Sequence, residues 1–358
     1  MLAVANEKGM NLNHWDVKQA YTHATLDEEV FLKLPAGCGD KSHKIAKAER
    51  AIYGLKQSGR QWGYHAADTL VENGFEQFKA DPCEFRNMVD EVVVMIIVIY
   101  VDDILVAGSD EDWDCEELLT SLNKKFPTNN VGECERFDGC AIERDGEAGT
   151  LRISQTAYTD SMVRRFVMMW VSTFSRPDVS FAVRAAARHA HAPAKRHWDA
   201  IQKILGYLKG TRDLGITYQR GSGLGLAVYV DASYIDTEDK QHRVLSSMEA
   251  EYIAAGEGVK EALFVRAVLS FVAPETSGSS IQVLEDNQGV IVLVQNPLSS
   301  GRTKHIDVRF HFIRGLFRSG DISAKFVPTT EQHADRLTKA LSRASLPYHR
   351  RKLMDLPE

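Results

Sequence analysis

The sequence predicts an α+β fold, followed after a flexible break by an α/β unit. Three features carry this. Val92 to Val101 and Ile104 to Ala107 are apolar, β-branched runs on either side of Asp102 and Asp103, the pattern of a hairpin with a tight two-residue connection. Residues 180–212 carry apolar side chains at helical spacing. After GSGLG (221–225), strand and helix patterns alternate.

Taken in order, MLAVANEKGM reads as a helix end with Gly9 as its cap. NLNHWDVKQAY is a short strand with Asp16 near its end, and Trp15 and Val17 face away from Asp16. Asp27-Glu28-Glu29 marks a turn, and VFLKLP is a strand stopped by Pro35. In residues 41–60, Ile45, Ala48 and Ile52 share one helical face, and Gly54 and Gly59 bracket a turn. Residues 61–75 form an amphipathic helix on Trp62, Ala66 and Leu70, capped at Gly74. Asp81-Pro82 is a turn before the hairpin.

Residues 111–126 run from acidic to basic, the order a helix dipole favours. Residues 137–155 form a hairpin around Asp145-Gly146. Residues 156–166 are a helix with Thr156 as N-cap, and residues 167–180 are apolar helix pieces. Two helices follow, separated by Pro193. In the second, Trp198, Ile201, Leu205 and Leu208 make one apolar face. Lys195, Arg196, Lys203, Lys209 and Arg212 lie off it, as a solvated face or a phosphate-contacting one. LAVYVDASY is a strand ending at Asp231; residues 245–272 are a long helix with Ser246 as N-cap and Glu249 in its first turn. IQVLEDNQGVIVLVQN is a strand reaching Asp286 and then a helix. A basic amphipathic helix (301–320), the strand ISAKFV and a last helix carrying Asp335 complete the pattern, before a loose polar tail.

The totals narrow the function classes. A net charge of −6 over 358 residues excludes a wholly basic nucleic-acid binder, so any such binding is local. Five cysteines without CxxC pairing favour free thiols and a reducing compartment. No signal-peptide pattern opens the chain, and the run at 92–101 is shorter than the ~20 residues a bilayer needs. A soluble intracellular protein is expected, with no membrane partner.

Two sets of carboxylates stand at element ends. Asp102 and Asp103 alone suit a solvated hairpin tip as well as a cation site. If the strand of Asp16 neighbours the hairpin, the three acids converge as hard oxygen ligands, which suit Mg²⁺. Two such ions are a known clamp for in-line phosphoryl displacement. Asp231, Glu249, Asp286 and Asp335 repeat the pattern downstream.

WDVKQAY, AIYGLKQSGRQW and YVDDILVAGS resemble the three core motifs of the copia-type LTR-retrotransposon reverse transcriptase. SRPDVSFAV, HWDAIQKILGYLKGT, YVDASY, LSSMEAEYIA, EDNQGVI, RTKHIDVRFHFIR and ADRLTKAL resemble its downstream region and ribonuclease H domain. The resemblance implies a right-hand polymerase palm (1–125), a helical thumb or connection region (126–220), an incomplete ribonuclease H-like domain (221–342) and the tail (343–358). It implies Asp16, Asp102 and Asp103 as polymerase metal ligands and Tyr21 as the steric gate under the incoming sugar. Gln57 lies in the motif lining the nucleotide pocket. Asp231, Glu249, Asp286 and Asp335 become the nuclease metal ligands, with Asp307 as rival for the last place. His333 is a loop histidine beside them or a plain surface residue. The implied cofactor is Mg²⁺ or Mn²⁺. The implied partners are an RNA template, a DNA primer, an RNA·DNA hybrid and dNTPs.

The sequence also departs from the family. The fingers strands precede the first Asp motif, and here Met1 begins almost at that motif, so they are expected to be missing. Ser58-Gly59 replaces Ala-Pro, and a segment between Phe166 and Ser175 is shortened. DTEDKQHR is too short for two further strands between Asp231 and Glu249. Two outcomes follow: a polymerase with a linked hybrid nuclease, or a catalytically silent remnant with residual nucleic-acid binding.

Overall fold

In a computed structural model, residues 1–108, 115–156, 158–159, 168–232, 247–296 and 311–356 are described. The chain divides into two compact units, Met1–Asp138 and Gly139–Glu358.

The first unit opens with helix α1 (Leu2–Glu7) and strands β1 (Asn11–Val17), β2 (Thr25–Lys33) and β3 (Ile45–Arg50). Helix α2 (Ser58–Glu72), β4 (Glu76–Gln77), β5 (Glu84–Val89), β6 (Val92–Tyr100) and β7 (Asp103–Gly108) follow. Helix α3 (Cys115–Asn123), β8 (Thr128–Glu133) and β9 (Arg136–Phe137) end it. A six-stranded antiparallel sheet runs in the order β4-β5-β6-β7-β1-β8, which sets β1 beside β7. One face of that sheet presents Trp15, Val17, Phe85, Ile97, Ile99, Ile104 and Val106 to Trp62, Ala66 and Leu70 of α2 and Leu118 and Leu122 of α3. Each large apolar side chain buried this way contributes roughly 1.5–3 kcal/mol. The alternation of β1 therefore turns Trp15 and Val17 inward and leaves His14 and Asp16 on the opposite face.

Two expectations are corrected here. Ile45 and Ala48 lie on a strand, because β3 pairs with β2 (Val30↔Ala48, Leu32↔Ala46) and cross-strand pairing overrides a weak helical spacing. Asp27-Glu28-Glu29 is part of β2, where a bulge between Thr25 and Val30 absorbs the exposed acids and Lys47 pairs with Glu29.

The second unit contains β10 (Cys140–Asp145), β11 (Thr150–Ser154), α4 (Met168–Phe174), α5 (Ser180–Ala187), α6 (Lys195–Gly210) and β12 (Ile216–Gln219). The hairpin around Asp145 forms, and β12 adds antiparallel to β11. On α6 the buried residues are Ile204 and Leu208, whereas Trp198 is 45% exposed. The cations of α6 are exposed, off the buried face.

Then come β13 (Ala227–Tyr229), α7 (Ser247–Val272), β14 (Ile281–Glu285), α8 (Gln288–Gln295), α9 (Phe312–Ser319), β15 (Ile322–Phe326), α10 (Asp335–Thr338) and α11 (Ser345–Met354). β13, β14 and β15 form a parallel sheet in that order. Helix α7 lies close on β13 because Gly258 has no Cβ, which would stand 2.7 Å from Val230 Cγ1. The expected loose tail is instead α11, with His349 and Met354 buried. The polar composition of residues 343–356 hid this small buried stripe. Ser246, Asp307 and DTEDKQHR lie outside the described residues. No helix among the described residues is long and apolar enough to cross a membrane.

Candidate active sites

Asp16 and Asp103 are directly opposed in the β1–β7 ladder, so both side chains stand on the sheet face turned away from α2. Tyr100, the β6 partner of Asp103, shares that face. The tight connection is Val101-Asp102, one residue earlier than expected, and Asp103 already belongs to β7. The left-handed position falls on Val101 (φ +54°), where such turns favour Gly. Val101 is held there by its carbonyl, which accepts the indole N–H of Trp62 at 2.8 Å. The Val17 N–H donates to the Asp102 carbonyl at 2.7 Å and ties the tip to β1.

The three carboxylates do not point at one spot. Asp102 Oδ1 accepts the Ala20 N–H at 3.0 Å and the Tyr53 hydroxyl. Burial and that bond to Asp102 push the Tyr53 phenol up to about 12. Asp103 Oδ1 lies 2.7 Å from His14 Nε2. Among the described residues no group of three or more His, Cys, Asp or Glu side chains is arranged to hold a metal ion. The donor chemistry of Asp16, Asp102 and Asp103 fits a hard divalent cation, but Asp102 must first release Tyr53.

Beside the hairpin a cavity of about 240 Å³ is lined by Tyr21, Gly59, Trp62, Tyr100 and Val101. The Tyr21 and Tyr53 rings stack tilted at 4.5 Å, so Tyr53 orients both Tyr21 and Asp102. Gln57 stands at the N-cap of α2 and is not part of that lining.

The second acid cluster sits where the parallel strands end. Asp231 follows β13, Asp286 follows β14, and Asp335 opens α10. Lys339 occupies its centre: Nζ donates to Asp231 at 3.0 Å and to Asp335 at 2.8 Å. Burial alone would lower that ammonium, but its bonds to Asp335 and Asp231 outweigh burial and raise it. Burial raises Asp335, opposed by its bond to Lys339. Thr338 also donates to Asp231, and Thr329 donates to Asp286 at 2.8 Å.

Two further acids complete the cluster. Glu251 Oε2 accepts the Ala232 N–H at 2.7 Å, and burial together with the charge of Asp231 pushes it up to about 7. Glu285, 1% exposed, is raised to about 8 by burial, with Glu251, Asp286 and Asp231 adding repulsion. Glu249 is buried in the first turn of α7. It lies two residues from Glu251, about 200° around the helix axis. The acid that faces Asp231 and Asp286 is therefore Glu251.

A family model described as reverse transcriptase (RNA-dependent DNA polymerase) matches residues 1–179. The chain belongs to this reverse transcriptase family. The retrovirus-related Pol polyprotein from transposon TNT 1-94 of Nicotiana tabacum is 27% identical over 410 residues, covering 96% of this chain and 31% of the relative. Those from transposons RE2 and RE1 of Arabidopsis thaliana are 29% and 28% identical, covering 99% and 96% of this chain. These are copia-type Pol polyproteins, and the chain spans only 28% and 27% of the Arabidopsis relatives.

Within this reverse transcriptase chain, sequence reading overlooked His14, Tyr53, Glu251, Glu285 and Lys339. His14 shares the face of Asp16 by strand period alone, and Tyr53 lies inside the quoted AIYGLKQSGRQW motif. Lys339 is four residues after Asp335, one helical turn on. His333 is not a surface residue: it is 8% exposed, 2.9 Å from His349 Nδ1 and packed on Tyr229. Burial, with the adjacent His349, lowers it.

Proposed function

We propose that the chain is the RNA-directed DNA polymerase part of a copia-type transposon Pol protein, acting on a primed RNA template with dNTPs. The in-register pair Asp16 and Asp103, with Asp102 on the turn beside them, carries this reading. The three acids would hold Mg²⁺ or Mn²⁺. The bound cation would supply a lowered pKa for the attacking 3′-hydroxyl and charge neutralisation at the leaving pyrophosphate. The Tyr53 hydroxyl holds Asp102, and Tyr21 lines the cavity where the incoming sugar would lie. Primer extension on poly(rA)·oligo(dT) tests it: extension lost in Asp102→Asn supports the reading, and extension that survives in Asp102→Asn sinks it.

In the second unit, Asp231, Glu251, Asp286 and Asp335 would form the hybrid-directed ribonuclease site. One observation favours a silent site instead: the Lys339 ammonium already fills the space between Asp231 and Asp335. As observed, the cluster does not fit a divalent cation, and no step is derived through one there. Cleavage of an RNA·DNA hybrid by the purified chain, abolished by Asp286→Asn, would overturn the silent reading.

A further inference from the structure

Among α5, α6, α10 and α11 lies a cavity of about 340 Å³, at the small end of ligand-sized pockets. Phe181, Ile204, Leu341 and Leu346 form its apolar wall. Arg336 also lines it and is 3% exposed. None of the three guanidinium nitrogens of Arg336 has a hydrogen-bond partner. A buried cation left unbonded is among the costliest arrangements in a folded chain.

The neighbouring charges do not relieve it. Among the described residues, the nearby carboxylate that most favours the Arg336 charge is Asp178, while Arg176 and Arg350 repel it. Asp178 is already engaged: Arg176 Nε and Nη2 donate to its two oxygens at 2.8 Å each, and the Tyr207 hydroxyl donates at 2.7 Å. The Tyr207 oxygen in turn accepts from Arg350 at 2.9 Å. Arg336 thus stands near two further arginines, and Asp178 is already bonded to one of them, Arg176. Exposed Lys203 adds a positive charge on the lining, whereas Lys339 is committed to Asp231 and Asp335.

We propose that this cavity binds a small phosphate monoester with an apolar or aromatic body. The phosphate pairs with the Arg336 fork, and the body lies against Phe181, Ile204, Leu341 and Leu346. An anion matches the concentration of arginine charge, and a guanidinium with every donor free offers the bidentate geometry that phosphate oxygens accept. The cavity borders the Lys339 cluster, since Lys339 also lines it, and the assignment does not rest on the polymerase reading.

Thermal unfolding of the full chain at constant ionic strength tests this, with phenyl phosphate, inorganic phosphate and phenol as probes. Phenyl phosphate is expected to raise the midpoint in a saturable manner, inorganic phosphate to raise it less, and phenol to leave it unchanged. Arg336→Leu is expected to abolish the response while raising the midpoint without ligand, since it removes the unbonded donors. Arg336→Lys, which keeps the charge and loses the fork, is expected to weaken binding at least tenfold by calorimetry. Equal shifts with phenyl phosphate and phenol, or an undiminished response in either variant, would overturn the assignment.

Discussion

The Lys339 ammonium lies 3.0 Å from a carboxylate oxygen of Asp231, a side chain with no solvent exposure. This lysine serves as the counter-ion that lets Asp231 and Asp335 stay close. Lys339→Met removes it and leaves two buried like charges. The loss should be about 2 kcal/mol, below the figure for a fully buried pair because Lys339 is 48% exposed. Added Mn²⁺ should then raise the thermal midpoint of the variant more than that of the parent chain. Equal Mn²⁺ shifts in both would remove the counter-ion role.

Glu285 gives a pH dependence of definite sign. Its folded value of about 8 stands above its ordinary 4.5, so between these the folded chain binds the extra proton. Stability therefore falls as pH rises through that window and levels off above it. Glu251, raised to about 7, adds a fall in the same direction over a narrower range. Glu285→Gln should flatten the decline, read as urea midpoints at about pH 5 and about pH 9. A variant whose midpoints fall as steeply as the parent's would rule out Glu285 as the source.

The hairpin and the element ends carrying Asp16, Asp231, Asp286 and Asp335 were legible in the sequence because strand and helix periods fix them locally. What stayed hidden depends on distant partners. β3 is a strand only because β2 lies beside it. Glu249 and Glu251 cannot be told apart by capping logic, since only the docking of α7 on β13 decides which one faces Asp231. Asp102 and Asp103 were visible as a pair, but their division between turn and strand follows from the Tyr100↔Asp103 register. The partners of SRPDVSFAV were equally invisible: Arg176 and Asp178 find Thr211 and Tyr207 more than twenty-five residues away.

Val101 offers a test of stored strain. A β-branched residue at φ +54° is a steric outlier, and such a conformation costs about 1–2 kcal/mol for a residue with a Cβ. Asn tolerates it and keeps the carbonyl that accepts from Trp62. Val101→Asn should therefore stabilise the chain by about 1 kcal/mol, seen as a higher urea midpoint with an unchanged slope. An unchanged or lower midpoint would mean that packing of the valine against the cavity beside Tyr21 outweighs the strain.

Asp178 anchors the most buried ion pair among the described residues of the second unit, with Arg176 1% and Asp178 0% exposed at the side chain. Burial would raise the Asp178 carboxyl, but the Arg176 and Tyr207 bonds outweigh it and hold it below the usual range. Its contribution is thus present above the ordinary carboxylate value and lost as pH falls through the depressed folded value. Asp178→Asn leaves Arg176 buried without its charge partner and removes the carboxylate that favours the Arg336 charge. A loss of about 3–5 kcal/mol is expected in urea unfolding, with a shallower acid limb than the parent chain. Replacing both partners, Arg176→Met with Asp178→Leu, should cost less than Asp178→Asn alone, because no charge is then stranded. A double variant weaker than the single one would show that the pair supplies net stability rather than mutual neutralisation.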